Sequence, residues 1–236
     1  MFLKQFYSGN ADNIRITPQQ ASRFAKEIAG DFNPIHDPDA KRFCVPGDLL
    51  FSLVLAKYGV SQQMCFTFSG MVGRSVTLQL PDSDAGKLDI GDDLGKTYLQ
   101  VERHGVTKRD KTLTEELIRT YVSFSGQNFP DILVDLMARH RVMINPDRPL
   151  VIYDTMSFEL EHLDFSHPLL ELSDSTLEVN GKRGEARLSF LIKAAGEAVG
   201  SGFKKLLLSG LRDYDHDQLQ RMREDYLSRK AAYQAP

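Results

Sequence analysis

The chain has 236 residues, 42% of them hydrophobic and 26% charged, with a formal net charge of −3. That length can bury one large core or two smaller ones without disulfide or metal staples. The acidic balance offers no basic field for nucleic acid, and the longest mostly apolar run, 49–56, falls well short of the ~20 residues a membrane span needs.

Thr17-Pro18-Gln19-Gln20 predicts a helix start. Thr17 can cap, Pro18 suits the first helical position, and Gln20 can reach back to complete a capping box. Ala21, Phe24, Ala25 and Ile28 then recur at helical spacing, and Gly30 supplies the left-handed stop. Asn33-Pro34 prevents immediate resumption, with a short turn restarting at Asp37-Pro38. Pro46-Gly47 opens the next element, which is apolar almost all round until Gly59 closes it. A helix without a polar face belongs inside something, wrapped by a sheet.

Strand-like alternation follows at 65–69, 75–80 and 97–102, with a longer, less regular candidate at 117–124. Lys108-Arg109-Asp110-Lys111, just after Gly105, reads as a solvated, mixed-charge hairpin tip. Phe129-Pro130 leads into an amphipathic helix through Ile132, Leu133, Leu136 and Met137. Strands return at 156–161, 169–179, 185–193 and 198–208, with Asn180-Gly181 a strong hairpin signal. Gly196, Gly200 and Gly202 mark a turn and a strand edge rather than a phosphate loop. From Asp215 onward the pattern is that of a charged surface helix. This order predicts an α+β protein with two structurally similar halves: 1–127, 128–212, and a C-terminal helix over 213–236.

Cys44 and Cys65 have no CxxC or Cys/His metal spacing, and no charged-then-apolar leader precedes them. They are expected to be reduced packing residues of a cytoplasmic protein. His162 and His167, flanking Asp164, read as a loop between strands, so no metal is expected.

Asp31 and His36 lie five residues apart on a proline-containing turn that follows a helix. A carboxylate and an imidazole on one rigid loop suit general acid–base work, and Asn33 can hold the turn by bonding its own backbone. On spacing alone, an ordinary Asn-Pro turn with a surface histidine accounts for the same residues.

A longer stretch carries more. The run Ala25-Lys26-Glu27-Ile28-Ala29-Gly30-Asp31-Phe32-Asn33-Pro34-Ile35-His36, then Ala40, Phe43 and Val45-Pro46-Gly47 opening a buried helix, resembles the hydratase-2 motif of MaoC-like (R)-specific enoyl-CoA hydratases. Phe68-Ser69-Gly70, Val76-Thr77-Leu78-Gln79-Leu80-Pro81 and Ile90-Gly91-Asp92 resemble the strands that follow it, so the likeness spans roughly 17–125. It points to a bacterial branch related to those hydratases. The resemblance implies a hot-dog fold, an antiparallel sheet wrapped around a central helix, here as two halves in one chain. It implies Asp31 and His36 as a catalytic pair activating water for addition to a trans-2-enoyl-CoA, or an acyl-carrier thioester. Asn33, Pro46, Gly47 and Asp48 would contact or support the substrate. CoA would enter only as part of the substrate, without metal or redox cofactor.

Asp48 departs from the family, which usually has an uncharged residue there; its charge also suits a helix N-terminus. No second Asp-x-x-x-x-His occurs in the C-terminal half. Two other readings stand beside the hydratase: a non-catalytic acyl-CoA or lipid-binding protein, and a thioesterase. A homodimer is open.

Overall fold

The computed structural model describes residues 2–10 and 12–234. Thr17 begins α1 (Pro18–Phe24) with a complete capping box. Its hydroxyl accepts from the Gln20 N–H at 3.2 Å, and Gln20 Oε1 accepts from the Thr17 N–H at 3.0 Å. The helix widens into a π-turn over Ala25–Ala29 and stops at Gly30, whose φ of 65° is left-handed. The second helix, α2 (Gly47–Tyr58), is buried all round; Leu49, Phe51 and Leu55 are fully covered.

An antiparallel sheet surrounds α2. Its first strands are β1 (Ser8–Gly9), β2 (Asn13–Arg15), β3 (Val60–Phe68), β4 (Thr77–Gln79), β5 (Lys87–Gly91) and β6 (Thr97–Lys108). The chain then forms α3 (Lys111–Ser123), irregular helical turns, and α4 (Val134–Arg139). Beyond β7 (Val142–Met143) come β8 (Val151–Leu160), β9 (Leu169–Asn180), β10 (Arg183–Ala194) and β11 (Glu197–Ser209). The order across the ten-stranded sheet is β1-β2-β4-β5-β6-β3-β8-β11-β10-β9. β12 (Arg212–Asp213) pairs with β7 as a separate ribbon, and α5 (His216–Gln234) closes the described chain.

The seam is the pairing of β3 with β8, from Gln63↔Glu159 to Thr67↔Thr155. Phe51 of α2 packs there, 4.8 Å from the Phe66 ring, 6.3 Å from Phe158, and stacked on Tyr121 of α3 at 4.3 Å. A long antiparallel sheet around a buried helix is the hot-dog fold, and two sets of strands share one continuous sheet here.

Four local expectations need correction. Residues 117–124 are not a strand: they fall in α3 and the turn after it. Leu113, Leu117, Ile118, Tyr121 and Val122 recur at helical spacing and are all buried, so the 3.6-residue period outweighs the β-branched content. Asp110, expected at a hairpin tip, is the N-cap of α3; its Oδ1 accepts from the Thr112 and Leu113 N–H groups at 2.8 and 3.0 Å. The hairpin loop is Gly181-Lys182 rather than Asn180-Gly181, because Asn180 pairs with Arg183 and Gly181 takes the first loop position at φ 57°. Gly200 and Gly202 lie in an inner strand between β8 and β10, not at an edge.

Candidate functional site

The loop after Gly30 is set by short-range bonds its sequence dictates. Asp31 Oδ1 accepts from the Asn33 N–H at 2.9 Å, and Asn33 Oδ1 accepts from the Ile35 N–H at 3.2 Å, starting a 3₁₀ turn over Pro34–His36. Asn33 Nδ2 also reaches the Val151 carbonyl of β8 at 3.4 Å, tying the loop to the later strands. The His36 ring is anchored by Nδ1, 2.7 Å from the Cys44 carbonyl. A carbonyl only accepts, so Nδ1 carries the proton and Nε2 is the nitrogen left to face Asp31. Nε2 stands 3.6 Å from Asp31 Oδ2, beyond direct hydrogen-bond length.

Both side chains line a cavity of about 700 Å³, within the roughly 300–1,000 Å³ typical of ligand pockets. Its walls are mostly apolar, including Leu50, Val72, Phe129, Leu133, Val151 and Leu206. Asn33 and Gly47 also line it, whereas Pro46 and Asp48 are not among the lining residues. At Gly47 a Cβ would meet the Phe68 and Tyr153 rings at 3.1 Å, so glycine lets the first turn of α2 approach those rings. Leu49 and Leu50 N–H donate to the Pro46 carbonyl at 3.0 and 3.4 Å, which leaves the Gly47 and Asp48 amides as the first-turn groups without a helical acceptor, and partial positive charge gathers there.

The Asp48 carboxylate is 1% exposed and turned into the core. Its Oδ1 accepts from Ser125 Oγ at 3.0 Å and lies 3.5 Å from Lys204 Nζ. Burial pushes the Asp48 pKa up, opposed by Lys204 and the serine bond. Burial also lowers Lys204 to about 8, against the pull of Asp48. The expected simple charge at a helix N-terminus is therefore one half of a buried ion pair.

Several lining residues carry no motif. Tyr226 of α5 is 6% exposed; its hydroxyl accepts from the Phe32 N–H at 3.0 Å and lies 3.4 Å from both the Gly30 carbonyl and Asp31 Oδ1. Burial first, then the Asp31 charge, raises the Tyr226 pKa, so the phenol stays a hydrogen-bond donor. The tail is thus not merely a charged surface helix. Leu219 is fully buried, Tyr226 packs edge-on to Phe32 at 6.1 Å, and Arg229 pairs with Asp37. The only hint in sequence is the stripe Leu219, Met222, Tyr226. Ser125, Asn128 and Tyr153 also face the cavity, and Asn128 Nδ2 donates to the Tyr153 hydroxyl at 2.9 Å.

Cys44 and Cys65 are free thiols, and burial raises Cys44 to about 12. His162 and His167 sit in the loop between β8 and β9. Among the described residues no group of three or more His, Cys, Asp or Glu converges as metal ligands would. No helix among them is long and apolar enough to cross a membrane.

Fold and cavity together define a hot-dog protein with an apolar pocket opening on a carboxylate and an imidazole. The chain belongs to the family described as protein of unknown function DUF3581, whose model matches residues 1–217. Among curated proteins none matches it. Similar solved structures include acyl-CoA thioesterase II TesB2 from Mycobacterium marinum, at 10% identity and TM-score 0.45, covering 92% of this chain and 99% of that one. A conserved hot-dog protein of unknown function from Alicyclobacillus acidocaldarius matches at 5% identity and TM-score 0.41, covering 89% and 98%. An N-terminal dehydratase from the difficidin assembly line matches at 13% identity and TM-score 0.30, covering 78% and 89%.

Proposed function

We propose that the protein is an acyl-thioester hydratase, acting in either direction between a trans-2-enoyl thioester and an (R)-3-hydroxyacyl thioester. The observation that carries this reading is the pair Asp31 Oδ2 and His36 Nε2, 3.6 Å apart on the wall of a largely apolar cavity. The pair can hold a water. As the water oxygen bonds to Cβ of the substrate, its proton passes to the pair and is returned to Cα. The Gly47 and Asp48 amides at the start of α2 would draw charge onto the thioester oxygen. The apolar wall would take the acyl chain, with CoA or an acyl carrier supplying the thiol.

In this reading the fixed Nδ1–H tautomer keeps Nε2 available for proton transfer, and Tyr226 and Asn33 hold Asp31 in place. Hydration of crotonyl-CoA and longer trans-2-enoyl-CoAs, followed by loss of the conjugated-thioester absorbance, tests it. His36→Ala is expected to lower turnover by roughly 10²–10⁴-fold, the usual worth of a general acid–base group. Unchanged turnover in that variant would remove His36 from the mechanism.

A further inference from the structure

Asp48 and Lys204 stand where the periodicity of their elements calls for hydrocarbon. Asp48 is followed on α2 by Leu49, Leu50 and Phe51, and Lys204 is in phase with the buried Leu206 and Leu208 of β11. Lys204 is wholly inaccessible. Burying such a pair costs about as much as the attraction returns, so stability does not explain its presence.

The two charges meet at Ser125, a residue that also lines the cavity. Ser125 Oγ donates to Asp48 Oδ1 at 3.0 Å and accepts from Lys204 Nζ at 2.7 Å. Nζ is held further by the Tyr121 carbonyl at 2.8 Å, and it lies 4.3 Å from the centre of the Tyr121 ring. The serine proton thus points at a carboxylate while its oxygen faces an ammonium, the arrangement that activates a hydroxyl nucleophile.

We propose that Ser125 is a second reactive centre of this cavity, an acyl acceptor for acyl thioesters and esters, with Asp48 as its base and Lys204 steadying the developing alkoxide. The proposal shares the substrate class read from the cavity but none of the residues Asp31, Asn33 or His36. Ser125 Oγ bonds to the acyl carbonyl carbon, and its proton moves to Asp48. The carbon–sulfur bond breaks, and the departing thiolate takes that proton. Water then attacks the acyl-serine, gives a proton through Asp48 to Ser125 Oγ, and releases the carboxylic acid. Bond changes and protons balance without an oxidant or a metal.

Burial makes Asp48 the stronger base. Facing Lys204 are Asp48 from α2, Tyr121 from α3, Tyr153 from β8, Ser125, and more remotely Asp31. The tyrosines are held neutral by burial, so the titration that matters above neutrality is the ammonium's own, at about 8.

The test is to incubate the full chain with p-nitrophenyl octanoate and, separately, with an alkyl fluorophosphonate, then map the adduct by peptide mass spectrometry. The expected result is modification of Ser125 by both probes, lost in Ser125→Ala and slowed roughly 10²–10⁴-fold in the near-isosteric Asp48→Asn. The labelling rate should fall as pH rises through about 8, as Lys204 loses its proton. No adduct, an adduct on Cys44 instead, or a rate that rises through that range would overturn the proposal. Because the wild-type mapping stands alone, a variant that fails to fold does not shield it. Missing adduct in a protein that hydrates enoyl-CoA overturns this inference alone; adduct in a protein that does not hydrate overturns the hydratase reading alone.

Discussion

Tyr226 reaches Asp31 from 195 residues further along the chain. Its hydroxyl satisfies the buried Phe32 N–H as well as approaching the carboxylate. Tyr226→Phe therefore leaves a buried donor unpaired, a loss of about 1–3 kcal/mol, to be read as a lower urea midpoint at unchanged slope. The same variant should lower hydration turnover by loosening Asp31; wild-type turnover and stability would show that the hydroxyl does neither job. At this scale the sequence was partly legible. Asp31, Asn33 and His36 declare themselves through short-range turn chemistry in a recognisable context. Tyr226, Ser125 and Lys204 do not, because each reaches the site only through contacts distant in sequence. Asp48 at the head of an apolar helix and a lysine in phase with Leu206 and Leu208 are the local signs that something unusual sits in the core.

α2 and α3 show how far element-level reading extends. The all-apolar run of α2 announced a central helix correctly, since only enclosure satisfies such a face. Part of α3 reads as a strand because Ile118, Tyr121 and Val122 favour sheets, while the true start signal, Asp110 two residues after β6, reads as turn chemistry. Asp110→Ala should cost about 1 kcal/mol through loss of the cap, measurable by chemical denaturation; no change would mean the helix start is held by packing alone. The ion pair between α2 and β11 yields a sharper expectation. Replacing both partners, Asp48→Leu with Lys204→Met, should be neutral or stabilising by about 1–4 kcal/mol at neutral pH. The folded pKa of Lys204 is lowered from 10.5 to about 8, so between those values the unfolded chain holds more protons. Wild-type stability relative to the double variant should therefore rise as pH climbs from about 8 toward 10.5, and this gain should be absent below 8. A strong loss in the double variant would mark the pair as structural.

Across the whole molecule, one cavity draws on distant parts of the chain: the Asp31–His36 loop, the start of α2, the turn after α3, strands β8 and β11, and α5. The β3–β8 seam brings them together. The all-apolar run of α2, with the resemblance around Asp31 and His36, is enough to anticipate a sheet around a buried helix. Which strands join, and that the last helix walls the cavity, depends on long-range packing that no local pattern encodes. In the function we propose, this shared cavity adds water to enoyl thioesters through Asp31. The most direct measurement is chiral analysis of the product formed from short to long trans-2-enoyl-CoAs by wild type and Asp31→Asn. The expected result is (R)-3-hydroxyacyl-CoA from wild type and a loss of roughly 10²–10⁴-fold in the variant; no 3-hydroxyacyl product at any chain length, or product undiminished by Asp31→Asn, would overturn the hydratase function.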